Sequence, residues 1–357
     1  MLRGFGHRVA ALTALAGLAS TLAVAGPALS APAAAASRRA AASCANPYGF
    51  HSPNATIGVS FAFLGNSWRK TMQNDMVKVV NNAIACHQIG HVDYTYAGNS
   101  TTQQISQMDD LILKHVSVIL VDATSTTGLN AVIAKATAAG IPVVNFDTPV
   151  TAKQAYILNW NFNTFGTSLA NYMVKRMHGK GNVILVRGLA GTSIDQGEYQ
   201  GWMSVLKKYP KIKVVGTVYG NWDEATAQSA VAGILPNLPK VNAVLVNGGG
   251  YGVIQAFKAA KRPVPIVVGG NRGAFLQWWW ANRKTYQTYS YSTFPQTGSL
   301  AVYVAQFLLK GTHVNHLLWL QPLTITAKEL PSYHTTPVSA VADAHFTVQW
   351  VYQHLIK

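Results

Sequence analysis

The sequence predicts an α/β fold in which two parallel sheets, each flanked by helices, follow one another along the chain. Short apolar runs alternate with segments whose apolar residues recur at helical spacing, starting at Ile57. The alternation reaches about residue 150 and then begins again. The 357 residues also exceed what one ordinary core organises, so two lobes are expected. Strand–helix–strand order makes the sheets parallel, with right-handed crossovers.

Arg3 and Arg8 bracket the start of a largely apolar run, Val9 to Ala25, and Ala34-Ala-Ala36 offers an A-x-A cleavage site before Ser37. Residues 1–36 are read as a signal peptide, and 37–55, rich in Ala, Ser, Asn and Pro, as a tether. No later window has about 18 uninterrupted apolar residues, so the mature chain is expected to be soluble. Export permits a disulfide between the two cysteines. Cys44 precedes the first strand, and Cys86 ends the helix that returns towards that strand's start. The competing use of Cys44 is a lipid anchor; Ala41-Ala-Ser43 lacks the usual leucine, and Arg38-Arg39 interrupts the apolar run.

The first series has strands at Ile57–Phe61, Val92–Tyr96, Val116–Val121 and Ile141–Phe146. The third is continuously apolar, as a strand buried on both faces should be. Ile105, Met108, Leu111 and Ile112 mark one helix, and Leu129, Val132, Ile133 and Ala136 another, ended by Gly140. The pattern restarts with strands at Tyr156–Leu158, Val183–Val186, Lys213–Val218, Ala243–Val246 and Ile266–Val268. Helical segments such as Phe165–Met177 and Thr226–Leu235 lie between them. Thr285–Lys357 holds one more strand, a helix around Ser299–Lys310 and a less regular tail. Open α/β sheets bind ligands beyond the carboxyl ends of their strands. Trp68 falls in the turn after the first strand and is therefore expected to face a cleft.

The formal charge of +16 becomes +14 once Arg3 and Arg8 are removed. The cations are scattered, with no basic run beyond Lys207-Lys208 and Lys261-Arg262. That is the pattern of a basic exported protein beside an anionic envelope, not of a nucleic-acid reader.

Five blocks then match a family in order. They are Ile57-Gly-Val-Ser…Gly-Asn-Ser-Trp68, Gln104–Ile112 with Val118–Val121, Asn130–Asp147, Gly188-Leu-Ala-Gly-Thr-Ser193 and Val267-Val-Gly-Gly-Asn-Arg-Gly273. Over residues 56–330 the chain resembles the type I periplasmic sugar-binding proteins of ABC importers, the ribose-binding-protein-like group. The resemblance implies two doubly wound parallel-sheet lobes joined by a three-segment hinge, closing on a ligand. The N-terminal lobe would be 56–159 plus 294–320, and the C-terminal lobe 160–293 plus 321–357. Crossings are implied near Leu158–Asn161, Thr293 and Leu320.

The same resemblance implies the pocket. Asn66 would bond a hydroxyl, Trp68 would stack on a ring face, and Asp147 matches the family's cleft aspartate. Trp222 matches the second stacking aromatic, Asn271 stands where an aspartate is usual, and Asn247 or its glycine neighbours where an asparagine is. Paired aromatics cover apolar ring faces while amides and carboxylates satisfy hydroxyls. Glu198 occupies the place of a family arginine, and Thr148 follows Asp147 where another arginine is usual. Losing two positive groups disfavours an acidic ligand. It leaves a sugar or polyol and gives weight to an amine-bearing ligand, with Glu198 a ligand contact, a solvent-facing group or the partner of Arg187 or Arg272.

The resemblance implies no cofactor, no metal and no catalysis, with a monomer serving a membrane permease. The alternatives are a sensor subunit for a membrane receptor and an extracellular carbohydrate-active enzyme. Asp147 and Glu198 could be a glycosidase pair by residue type alone. The histidines show no metal spacing, and Gly248-Gly-Gly-Tyr-Gly252 lacks the Gly-Lys-Ser/Thr of a P-loop. Trp278-Trp-Trp280 cannot all line one helix face, so they are not assigned to the pocket.

Overall fold

A computed structural model describes residues 44–344 and 346–357. The expected signal peptide and residues 37–43 of the tether lie outside the described residues.

The first series comprises β1 (Thr56–Phe61), α1 (Ser67–Ala85), β2 (His91–Tyr96), α2 (Thr101–Leu113), β3 (Val118–Val121), α3 (Asn130–Ala138), β4 (Val143–Phe146) and β5 (Tyr156–Asn159). The second runs through α4 (Phe162–Arg176), β6 (Gly181–Arg187), α5 (Ser193–Leu206), β7 (Ile212–Tyr219), α6 (Glu224–Ile234), β8 (Ala243–Val246), α7 (Gly250–Ala259), β9 (Ile266–Val267) and α8 (Gly273–Asn282). The chain finishes with β10 (Ser290–Ser292), α9 (Thr297–Leu309), β11 (Leu317–Trp319), β12 (Leu323–Ile325) and α10 (Val348–Val351), which leads into a π turn.

β11, β5, β4, β3, β1 and β2 form one parallel sheet in that order. β7, β6, β8 and β9 form a second parallel sheet, and β10 and β12 an antiparallel ribbon. β5 opens the second run of the sequence pattern but pairs with β4, so it belongs to the first sheet. Helices cover both faces of each sheet, and the edge strands β2 and β7 stay partly exposed. The first sheet lies between a core built on α1 and α9 and another built on α2 and α3. The second is held between α6–α8 on one face and α4–α5 on the other. This is why β3 reads Val-Ile-Leu-Val without a polar residue, all of it buried.

Several helix starts follow from their capping side chains. Asn66, Ser100, Asn161, Thr192 and Asp223 each accept a backbone N–H of the first turn. Cys44 and Cys86 form a disulfide with Cα atoms 5.3 Å apart, fastening the entry of the chain to the end of α1. Trp279 is buried, Trp278 packs edge-on to Tyr286, and Trp280 stacks on His334 and carries the Arg283 guanidinium over its ring.

The tail departs from the expected lobe boundary. Residues 321–357 do not all stay with the second sheet. Val341 bridges Arg272 and Ala342 bonds Asn271, but Val351 and Leu355 are buried in the first core, where Tyr352 packs on Tyr48. The physical reason is apolar spacing: Phe346, Trp350, Val351 and Leu355 give the short helical tail a face that only a core can cover. The chain therefore passes between the two lobes a fourth time after Ala342.

Candidate functional site

The loops beyond the carboxyl ends of both sheets line a narrow cavity with about 60 Å³ of free space inside it. From the first lobe come the β1–α1 turn and the residue after β4. The second lobe gives the loops after β7, β8 and β9. Ser292 and Thr293 of a crossing segment complete the wall.

Asn66 caps α1, and Trp68 and Arg69 lie in its first turn. Asn66 Oδ1 accepts the Arg69 backbone N–H at 2.9 Å, so the cap fixes this side chain and leaves Nδ2 to donate. Trp68 is half-buried, lines the cavity and packs against the first core. Arg69 is the residue that sequence reasoning missed. Its guanidinium is buried and bonds Asp122 Oδ2 at 2.8 Å, Asp147 Oδ2 at 2.7 Å and Thr148 Oγ1 at 3.0 Å, with the Phe63 ring 4.5 Å away. The available signal was an arginine in the first turn of α1 with an aspartate just past each of β3 and β4.

Two buried carboxyls share this one cation. Burial pushes the Asp122 carboxyl up to about 7, against the pull of Arg69, and burial likewise raises Asp147. Asp147 also has φ of +60°, a left-handed backbone that costs a non-glycine residue about 1–3 kcal/mol and is kept where the surroundings over-determine it.

Trp222 is strained in the same way. Asn221 and Trp222 have φ of +52° and +57° inside a turn closed by the Asp223 N–H on the Gly220 carbonyl at 2.9 Å. Its indole lies on the backbone of Gly188: a Cβ there would come within 2.3 Å of the ring, so only glycine leaves it room. The buried Nε1 has no partner among the described residues. Arg272 fastens this turn by donating to the Trp222 carbonyl at 2.7 Å and lies 3.5 Å from Glu224. It also crosses the cleft to donate to Ser67 Oγ, the residue before Trp68. One guanidinium thus connects the loops that carry the two tryptophans.

Asn271 is buried and donates through Nδ2 to the Thr293 carbonyl at 3.2 Å and the Ala342 carbonyl at 2.6 Å, so the tail and a crossing segment set its pose. Asn247 lines the cavity at the end of β8 and donates to Glu198 Oε1. Glu198 itself is fully buried behind Asn247 and does not line the cavity. Burial pushes its carboxyl up to about 8, opposed by the Asn247 bond, and Oε2 has no partner among the described residues. It pairs with neither arginine considered for it: Arg187 binds Asp195 at 2.6 Å, and Arg272 binds Glu224.

The structure thus brings Asn66, Trp68, Asp147, Trp222, Asn247 and Asn271 to one cavity and leaves Glu198 one layer behind it. Two cations not aligned with the missing family arginines also reach it. Arg69 and Arg272 stand at the cavity, each against carboxylates of this chain.

A profile described as a periplasmic binding protein domain matches residues 57–313. The chain belongs to that family. Periplasmic binding proteins bind solutes and are not enzymes. This one is 33% identical to an ABC transporter solute-binding protein from Thermobispora bispora, with a TM-score of 0.79, 84% of this chain and 94% of that one covered. It is 31% identical over 176 residues to a xylitol-binding protein of Mycolicibacterium smegmatis, covering 48% of this chain and about half (50%) of that relative's length. To the ribose import binding protein of Bacillus subtilis it is 24% identical over 224 residues, covering 61% and 71% of the two chains. No helix among the described residues is long and apolar enough to cross a membrane.

Proposed function

We propose that this periplasmic binding protein is the solute-capturing component of an ABC importer. It takes an uncharged polyhydroxy ligand, a sugar or a polyol, between its lobes and hands it to a membrane permease. The observation that carries the reading is the pair of indoles, Trp68 from one lobe and Trp222 from the other, lining a cavity whose charges are already paired. Aromatic faces cover C–H surfaces, and amide groups such as Asn66 Nδ2 meet hydroxyls. Trp222 Nε1 and Ser292 Oγ are buried without partners among the described residues, which suits a ligand rich in hydroxyls. Glu198 offers no counter-charge at the cavity wall, so the geometry gives no support to an amine. The names of the xylitol- and ribose-binding relatives point the same way. The protein is exported, processed before Ser37 and works as a monomer, since one chain supplies both sides of the cleft.

A thermal-shift screen of xylitol, ribose, other neutral sugars and polyols, amino sugars and small amines tests this. A ligand at about 100 times its Kd stabilises the folded state by ~2.7 kcal/mol. A neutral hit supports the proposal, whereas hits confined to amines would overturn it. With that hit in hand, Trp222→Ala should weaken binding by at least ~1 kcal/mol, about five-fold, and remove a ligand-induced change in tryptophan emission. Unchanged affinity would take Trp222 out of the contact.

A further inference from the structure

We propose that the pole of the second lobe farthest from the cavity is a docking surface for anionic lipid headgroups. Residues 44–159 hold six lysines and arginines and six acids, a net charge of zero. Residues 160–293 hold fifteen against four, a net +11. The excess charge of the protein is therefore concentrated in one lobe.

Topology then sorts those charges between the lobe's two poles. In a parallel sheet all helix-to-strand connections lie at one end and all strand-to-helix connections at the other. Of the four acids, Asp195, Asp223 and Glu224 fall in the first turns of α5 and α6 or just before α6, and Glu198 in the second turn of α5, all in the half of the lobe nearer the cavity with Arg187 and Arg272. The other thirteen cations fall in the last turns of α4 and α7, at the start of β7, or in the connections that lead to β6–β10. Among the described residues none of the thirteen has a carboxylate within salt-bridge reach.

Cations also favour helix C-termini through the helix dipole, but that effect operates equally in the first lobe. There Lys114 is neutralised by Asp93 at 3.0 Å and Lys135 by Asp109 at 2.8 Å. The second lobe has no acid at this pole to do the same. At its centre Lys180, Lys207, Lys208, Lys211 and Lys213 are exposed around Tyr209, itself 38% exposed. Separate, strongly hydrated ammonium groups around one amphipathic ring suit a sheet of phosphate headgroups. Docking here would keep the protein at the membrane with its cavity pole untouched.

The test is co-sedimentation of the processed protein with phosphatidylcholine vesicles, with and without phosphatidylglycerol. Binding is expected only with phosphatidylglycerol, and is expected to vanish at about 1 M salt, where the Debye length is ~3 Å. The variant Lys207→Glu, Lys208→Glu, Lys211→Glu and Lys213→Glu should lose at least ~100-fold in partitioning, since each cation near such a surface is worth about five-fold. The first-lobe set Lys78→Glu, Lys114→Glu, Lys135→Glu and Lys153→Glu, equal in charge change, should lose less than about five-fold. Melting curves establish that both sets are folded. Absent binding, or equal loss in the two sets, would overturn the proposal. Tighter retention on duplex DNA or soluble polyphosphate than on vesicles would overturn the choice of lipid. None of these readouts depends on the cavity's ligand.

Discussion

Replacing Arg69 with alanine is expected to destabilise the protein by roughly 3–5 kcal/mol near pH 7, the range for removing one partner of a buried ion pair. The side chain bonds two aspartates and a threonine hydroxyl, and nothing else among the described residues supplies a cation to either carboxylate. Asp122 Oδ1 is already buried without a partner among the described residues. Without Arg69 both carboxyls must take up protons or stay charged in a dry site. The loss is therefore pH-dependent. A raised carboxyl contributes stability that is complete below its unfolded value near 3.8 and is lost as pH rises through the folded value. Urea unfolding of Arg69→Ala should show a penalty that shrinks from about pH 7 to about pH 4. Adding Asp122→Asn and Asp147→Asn should recover part of it. A loss under ~1 kcal/mol at neutral pH, typical of an exposed pair, would show that the cluster is solvated. Ligand binding should fall with the single change, because Arg69 also sets the orientation of Asp147 at the cavity wall.

Arg69 shows where sequence reasoning reached its limit. The strand and helix periods fixed which loops end at the cleft, and those loops do carry Asn66, Trp68, Asp147, Trp222, Asn247 and Asn271 to the cavity. Depth within a helix is harder to read. Glu198 lies in the second turn of α5, where the helix packs so closely on α4 that a Cβ on Gly166 would sit 2.3 Å from the Glu198 carbonyl. A side chain launched from that close contact points into the protein, so an aligned position became a supporting layer. Arg69 was hidden for the opposite reason. Its partners lie 53 and 78 residues away, and only folding makes them neighbours. The tail was missed because four residues of α-helix carry too short a period to announce which core they will join.

Glu198→Gln should make the protein more stable above neutral pH while leaving it unchanged in acid. Glu198 is wholly buried, and its carboxyl is pushed up to about 8, chiefly by loss of hydration. In the unfolded chain it ionises near 4.5. Between those values the folded form holds a proton that the unfolded form has released, so stability from this group is complete below about 4.5 and drains away as pH rises to about 8. Within that window each pH unit removes about 1.4 kcal/mol. Glutamine has the same shape and still presents a carbonyl oxygen to Asn247 Nδ2, but it has no proton to lose. Parent and variant should therefore have matching unfolding free energies at about pH 5 and separate by several kcal/mol, in favour of the variant, by about pH 9. Asp122 and Asp343, both pushed up to about 7, slope the curves of parent and variant alike and cancel in the difference. Parallel pH profiles would mean that Glu198 is ionised in the fold and compensated by something that enters the layer behind Asn247. A separation that opens with rising pH would identify Glu198 as a neutral acid at physiological pH. It would then hold Asn247 at the cavity without bringing charge to the ligand.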